Sequence, residues 1–223
     1  AASDVYKRQF NGRVLASACA NGSSEMVNQF SNAVITFLFN IILMRLAGPN
    51  GVAAITILLY GQFLFNAFYL GFSIGTSPIV GYQYGAGNRK ELKSIYRISF
   101  RFVSLSSVII AFAAVYLSTS IVTIFTDDPK THALAVTGFG IFAYNFLFSG
   151  FNIASSGFFT ALSDGKSSAI ISFCRTLLFT VISLLVLPRF FGVNGAWLAI
   201  PVAEFVTLLL SIWMHRKYLY RFI

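Results

Sequence analysis

The chain has 223 residues, of which 57% are hydrophobic, 17% aromatic and only 10% charged, whereas charged residues make up about a quarter of a soluble domain. The apolar residues are spread along the whole chain, which excludes a soluble domain, a disordered protein and a soluble domain with one membrane anchor. In a membrane protein, basic residues concentrate in the cytoplasmic loops. We therefore interpret the net charge of +9 as a sign of membrane topology and expect no nucleic-acid partner.

The apolar runs are long and do not alternate with polar residues as the strands of a transmembrane barrel do. A membrane-spanning helix needs about 20 apolar residues, so the length predicts an all-α, polytopic membrane protein with six transmembrane helices. Turn-forming segments separate the runs: AGPNG at 47–51, GYQYGAGN at 81–88, TDDP at 126–129 and Pro188. The predicted spans are residues 26–46, 52–80, 98–125, 133–162, 167–187 and 195–214.

The ends of the chain are predicted to lie outside the six-helix lobe of residues 26–214. Residues 1–25 are interpreted as a cytoplasmic connecting segment with an artificial or truncated start, and residues 215–223 as a basic cytoplasmic tail. Twelve of the sixteen Lys and Arg residues lie on the side of the two termini, and three lie on the other side. Because basic residues concentrate in cytoplasmic loops, we expect both termini in the cytoplasm and the chain in the inner (plasma) membrane.

One short motif suggests catalysis. Residues 71–75 read GFSIG, a formal match to the G-x-S-x-G nucleophile motif. That motif needs a strand-to-helix turn, whereas this pentad lies in an apolar helical run, and His132 and His215 lie at span ends. Ser73 is therefore interpreted as non-catalytic, and its neighbours Gly71 and Gly75 are predicted to allow close helix packing.

Other catalytic or cofactor patterns are missing from the sequence. Cys19 and Cys174 are far apart and have no neighbouring histidine cluster, so neither a metal site nor a disulfide framework is expected. No nucleotide-binding motif is present either. We expect a protein that is not an enzyme and that holds no metal and no cofactor.

Two charged residues of opposite sign lie within predicted spans, where an ionisable group costs at least a few kcal/mol unless it is paired or hydrated. Arg175 lies about nine residues into the fifth span and Glu204 about ten into the sixth, and the spans run in opposite directions. At 1.5 Å per residue their depths are similar. Two interpretations remain open: a structural ion pair that locks the two helices, or Glu204 facing a water-filled cavity as a cation or proton site.

A polar stripe follows the first span from Glu25, which is either a helix N-cap or a cavity carboxylate. The residues after it recur at three- and four-residue steps and so share one helix face: Asn28, Gln29, Asn32, Thr36 and Asn40. Lipid cannot satisfy them, so they are predicted to face inward, either as interhelical hydrogen bonds or as the wall of a solvated path. Other spans carry similar side chains: Gln62, Asn66, Tyr144, Asn145, Ser149, Asn152, Ser155 and Ser156.

Several segments together resemble the C-terminal lobe of the multidrug and toxic compound extrusion (MATE) transporters, over nearly the whole chain from about Arg13. They are GFSIGTSPIVGYQYGAGNRKELK at 71–93, SGFNIASSGFFTALSDGKSSAIISFCRT at 149–176 and LPRFFGVNGAWLAIPVAE at 187–204. NGSSEM at 21–26 is similar to the start of that lobe's first helix in one bacterial branch.

The resemblance implies one of two six-helix lobes around a V-shaped cavity, in a secondary antiporter that exports drug-like or toxic organic cations in exchange for protons or sodium. The implied partners are organic cations, membrane lipids and the missing N-terminal lobe of the same polypeptide. The candidate substrate- or cation-binding residues are Glu25, Asn28, Asn32, Gln62, Asn66, Asn145, Asn152 and Glu204. Where some members carry acidic cation ligands, this chain has asparagines, which weakens the case for sodium in this lobe.

Two other functions are compatible with parts of the sequence. A lipid-linked sugar flippase of the same superfamily needs positive charge for a pyrophosphate, and Arg175 is the one basic residue deep within a predicted span, since Arg45 and Arg101 lie at span ends. An intramembrane serine protease would use Ser73 with a histidine from another helix. The antiporter is the favoured interpretation.

Overall fold

The computed structural model describes the backbone of residues 12–218 and the side chains of residues 30–218. This part of the chain is helical apart from short turns. Its α-helices are α1 (Gly12–Gly85), α2 (Arg89–Phe125), α3 (Pro129–Phe142), α4 (Phe146–Ala161), α5 (Gly165–Phe173) and α6 (Phe179–Tyr218). A 3₁₀ turn, Ala143–Asn145, joins α3 to α4, and a π-helical turn, Cys174–Leu178, joins α5 to α6.

Four helical stretches are long and apolar enough to cross a membrane: Phe30–Gly85, Arg89–Phe125, Pro129–Ala161 and Gly165–Tyr218. The first and the last each contain a glycine whose backbone is not helical. These are Gly48 (φ 65°, ψ −157°) and Gly192 (φ 56°, ψ −133°), in a region of conformational space that is essentially restricted to glycine.

The break at Gly192 reverses the direction of the chain. Arg175 and Glu204 are 29 positions apart and would lie about 44 Å apart on a straight helix. Their side chains are instead in contact at 3.1 Å. The helical segments before and after Gly192 therefore lie side by side.

Some element boundaries differ from those predicted. Helix α2 begins at Arg89, nine residues before the predicted third span, and α1 includes residues 12–25, which were assigned to a connecting segment. Pro188, predicted to end the fifth span, lies inside α6. Proline has a helix-compatible φ, so the helix continues for one more turn until Gly192 adopts a positive φ.

The predicted TDDP turn is present and ends α2. The Asp128 carboxylate caps α3 by accepting a hydrogen bond from the Thr131 backbone N–H at 2.8 Å, and Pro129 occupies the first turn of α3. The backbone hydrogen bond from Thr131 lowers the pKa of Asp128, since it stabilises the charged carboxylate.

The apolar interior forms two main clusters. One joins α1, α2, α3 and α6 around Phe39, Phe139 and Trp197, and the other joins α1, α2 and α4 around Tyr69 and Phe158. Many large apolar side chains remain on the outside, as expected for a surface covered by lipid. They include Phe30, Phe63, Ile74, Phe112, Tyr116, Ile124 and Phe190.

Close helix packing uses glycines other than those predicted. A Cβ built on Gly71 or Gly75 has no neighbouring atom within 4 Å, so their assignment to helix packing is wrong. A Cβ on Gly138 would instead lie 3.0 Å from the Trp197 ring, and one on Gly157 would collide with the Ser73 hydroxyl. The sequence pattern marks small residues, but packing decides which of them face a neighbour.

Candidate functional site

An ion pair lies at the contact between the π-helical turn and α6. Arg175 Nη1 donates to Glu204 Oε1 at 3.1 Å, and the two side chains are 19% and 5% exposed. The two residues that the sequence places at similar depth are thus brought together. Glu204 is almost completely enclosed, so its charge is balanced by Arg175 and not by bulk water.

Asn152 of α4 completes the surroundings of Glu204. Its Nδ2 donates to Glu204 Oε2 at 2.7 Å and to the Glu204 backbone carbonyl at 2.9 Å, while its Oδ1 accepts a hydrogen bond from Ser211 Oγ at 3.0 Å. Asn152 and Ser211 are fully buried. We call Asn152, Arg175, Glu204 and Ser211 the buried network. It ties α4, the π-helical turn and α6 together, and Asn152 uses both its donors and its acceptor there.

The π-helical turn presents Arg175 to this network. The Arg175 carbonyl accepts a hydrogen bond from the Thr180 hydroxyl, five residues later, at 2.8 Å. A π turn holds one more residue than an α turn and changes the direction in which the following side chains point. Nothing in the residue pattern had indicated this distortion.

A second contact between α4 and α6 was not predicted. His215 Nε2 lies 2.9 Å from Ser155 Oγ, and both residues are buried. Aromatic rings surround the imidazole at centroid distances of 5.0–5.7 Å, from Tyr96, Phe100, Phe151 and Phe159. Sequence analysis placed His215 at a span end. The spacing of Ser211 and His215, one helical turn apart, was the signal that could have joined it to the buried network.

Asn145 lies in the 3₁₀ turn between α3 and α4 and is fully buried. Its Nδ2 donates to the Phe142 carbonyl at 2.6 Å. Within the described part of the chain, its Oδ1 has no hydrogen-bond partner. A buried carbonyl oxygen without a partner is uncommon.

Asn66, in the second half of α1, contacts α4. Asn66 is half-buried, and its Oδ1 accepts a hydrogen bond from Ser149 Oγ at 3.3 Å. Gln62, one turn earlier, is also half-buried. Tyr69 is buried and donates its hydroxyl to the Phe146 carbonyl at 3.1 Å. The hydrogen bond from Ser149 places Asn66 at the interface of α1 and α4.

The polar stripe of the first half of α1 lies on the surface of this lobe. Asn32 and Thr36 are exposed and Asn40 is half-buried, whereas the neighbouring Phe39 is fully buried. We call Asn32, Thr36 and Asn40 the α1 stripe. The side chains of Glu25 and Asn28 lie outside the described residues. Packing turns the opposite face of this helix to the core of the lobe, so Asn32 and Thr36 are exposed in the described part of the chain, and the solvated path along them stays a prediction.

The histidines and the serine of the GFSIG segment do not form a catalytic pair. Ser73 packs against Gly157, His132 Nε2 lies 3.2 Å from the Thr123 hydroxyl, and His215 contacts Ser155. Among the described residues, no group of three or more His, Cys, Asp and Glu is placed to hold a metal ion.

The MatE family model matches residues 26–185. Among curated proteins, no sequence matches the chain significantly.

Solved structures show the same fold at low identity. An outward-facing multidrug resistance MATE family transporter of the MOP superfamily has a TM-score of 0.87 and 18% identity, and the alignment covers 98% of this chain and 49% of that one. MATE in its straight conformation has a TM-score of 0.86 at 18% identity, covering 98% and 50%. A MOP superfamily transporter from Pyrococcus furiosus Vc1 (DSM3638) has a TM-score of 0.80 at 19% identity, covering 88% and 44%. The chain thus spans about half the length of these transporters.

Proposed function

The chain belongs to the MatE family of membrane transporters, and from that premise we propose that it is the C-terminal lobe of a secondary antiporter. The complete protein would export drug-like or toxic organic cations in exchange for protons or sodium. The observation that carries the proposal is the family match over residues 26–185. The half-length agreement with MATE structures supports the assignment to one lobe.

We propose that the four apolar stretches cross the membrane six times. Phe30–Gly85 has 56 residues and Gly165–Tyr218 has 54, and each would be about 80 Å long as a straight helix, far more than the hydrocarbon core of about 30 Å. The non-helical glycines Gly48 and Gly192 divide each of them in two. Six crossings put the two ends of the chain on one side, and the excess of basic residues there supports the cytoplasm of an inner membrane.

We assign different roles to the predicted site residues. Both carboxylate oxygens of Glu204 have partners, which supports a structural role for Glu204, Arg175 and Asn152 in holding α4 and α6 together. The exposed α1 stripe supports a wall of the substrate cavity that the second lobe would close. The candidate ligands of the transported cation are Glu25, Asn28, Asn32, Gln62, Asn66 and Asn145.

Transport by a complete two-lobe protein in proteoliposomes tests this proposal. A fluorescent organic cation should exchange against an imposed proton or sodium gradient, and only one of the two gradients should be needed. The variant Asn32→Leu should slow exchange without loss of folded protein, and Phe37→Leu, on the same exposed helix segment, is the matched control. Exchange that needs neither gradient would contradict antiport.

The isolated lobe provides a second test, because alternating access moves one repeat against the other. The 223-residue chain in proteoliposomes should bring about no counterflow of the same cation. Counterflow from a demonstrably monomeric preparation would show that one lobe suffices and would overturn the two-lobe assignment.

The flippase alternative finds no support in the network. It requires a free positive charge for a pyrophosphate, and Arg175 donates to Glu204. Glu204 neutralises that charge, so the cation exporter remains the favoured function.

A further inference from the structure

A row of basic side chains runs along the outside of the first turns of α2. Arg89, Lys93, Arg97 and Arg101 follow one another at intervals of four residues, and all four are exposed. Positions four apart lie next to each other on a helix surface. The row is therefore continuous over about 18 Å of the helix axis.

The same row becomes apolar immediately after Arg101. The next two positions at four-residue steps are Leu105 and Ile109, which are 65% and 60% exposed. Each four-residue step turns about 40° around the helix axis, so the part of the row from Arg97 to Ile109 stays on one side of α2. That side carries positive charge first and then a surface suited to lipid chains. Glu91 is the one acidic residue in the sequence of α2.

The length of α2 sets the depth of this transition. Asp127 and Asp128 follow Phe125 after one residue, Thr126, and mark the end of the apolar part. Counting back at 1.5 Å per residue, Arg101 lies about 36 Å and Arg97 about 42 Å from Phe125. The hydrocarbon core is about 30 Å thick, and the headgroups add about 5–7 Å on each face. The long Arg97 and Arg101 side chains therefore reach the level of the lipid phosphates.

We propose that Arg97 and Arg101, extended by Lys93 and Arg89, form a binding site for the phosphate group of an anionic phospholipid in the leaflet at the start of α2. The phosphate is bound by the guanidinium groups, and the acyl chains lie along Leu105 and Ile109. The site follows from α2 crossing a membrane and is independent of what the protein transports. At the other end of α2 the loop contains Asp127 and Asp128, so no comparable row of basic side chains continues α2 there.

Lipid binding by the full 223-residue chain in detergent tests the site. Native mass spectrometry would follow titration with dioctanoyl phosphatidylglycerol and, separately, with zwitterionic dioctanoyl phosphatidylcholine. A basic residue near an anionic lipid contributes about fivefold in affinity. Arg97→Gln combined with Arg101→Gln should weaken phosphatidylglycerol binding about thirtyfold and leave phosphatidylcholine binding unchanged.

The matched control removes two exposed basic residues outside α2, Lys130→Gln with Lys166→Gln, and should weaken binding less than about threefold. Arg97→Lys with Arg101→Lys keeps the charge and should keep most of the selectivity, which separates a binding defect from misfolding. Equal losses in the Gln variant and the control, or equal affinity of the unmodified chain for the two lipids, would overturn the proposal. Competition by inorganic phosphate at the same concentration as the lipid would overturn it too, since it would identify a free-phosphate site.

Discussion

The contact between α4 and α6 and the outer surface of the first half of α1 carry similar side chains in opposite surroundings. In the buried network, Asn152 is fully buried and uses all its hydrogen-bonding groups within the protein. In the α1 stripe, Asn32 and Thr36 are exposed. Polar residues of the apolar helices therefore lie in two kinds of surroundings here: some join helices within the lobe, and others lie on its surface.

Energetic consequences follow from this difference. A buried polar group costs free energy when its partner is removed, because no water replaces the lost hydrogen bond. An exposed polar group loses little free energy, because water replaces the missing partner. Substitutions in the buried network should therefore change stability, and substitutions in the α1 stripe should change function.

Breaking the ion pair should have the largest effect. Glu204→Gln leaves the Arg175 charge buried without a counter-charge and should lower the free energy of unfolding by about 3–5 kcal/mol. Arg175→Met should lower the free energy of unfolding by a similar amount, because it leaves the buried Glu204 carboxylate without a counter-charge. The double variant should lose less than the sum of the two, as measured by chemical unfolding in detergent. Strictly additive losses would show that the two side chains do not depend on each other.

A matched pair of asparagine substitutions compares the two regions directly. Asn152→Leu keeps the volume but leaves Glu204 Oε2 and the Ser211 hydroxyl without their partner, which should cost about 2–3 kcal/mol. Asn32→Leu removes an exposed amide and should change stability by less than about 0.5 kcal/mol. Both are measured by the same unfolding experiment. Equal destabilisation would contradict the distinction between the two regions.

Solvent access gives an independent comparison. Cysteines at positions 32 and 36 should react with a membrane-impermeant thiol reagent at least about tenfold faster than cysteines at positions 152 and 211, since buried side chains are protected. The background protein has Cys19 and Cys174 replaced by alanine. Fast labelling at position 152 would mean that water enters the buried network.

The turn between α4 and α5 offers the smallest effect. Ser163 has a positive φ of 61° and occupies the position where helices usually end with glycine. Ser163→Gly should stabilise the protein by about 0.5–1 kcal/mol, because glycine adopts this conformation without steric cost. Ser163→Ala keeps the Cβ and should give no gain. A stabilising Ser163→Ala would show that the hydroxyl, not the backbone, is the source of strain.

Much of the fold could be predicted because it depends on local properties. Long apolar runs locate the helical stretches. The turn-forming residues of AGPNG predict the break at Gly48, and those of TDDP predict the boundary between α2 and α3. The contact of Arg175 with Glu204 was one of two predicted alternatives, since depth along a helix is a count of residues. Its hydrogen bonds with Asn152 and Ser211 were not predicted, and neither was the contact of His215 with Ser155.

By itself, the sequence determined that the chain is a membrane protein, because that depends on composition. It also determined where the helices lie along the chain and how deep the charged residues lie, because both depend on the order of residues. The tertiary structure alone decided which side of each helix faces a neighbour. It buried Asn152 and exposed Asn32, and it selected Gly138 and Gly157 for close packing instead of Gly71 and Gly75. The physical reason is that the rotation of a helix about its own axis is fixed by packing against all its neighbours at once, and no local pattern contains that information.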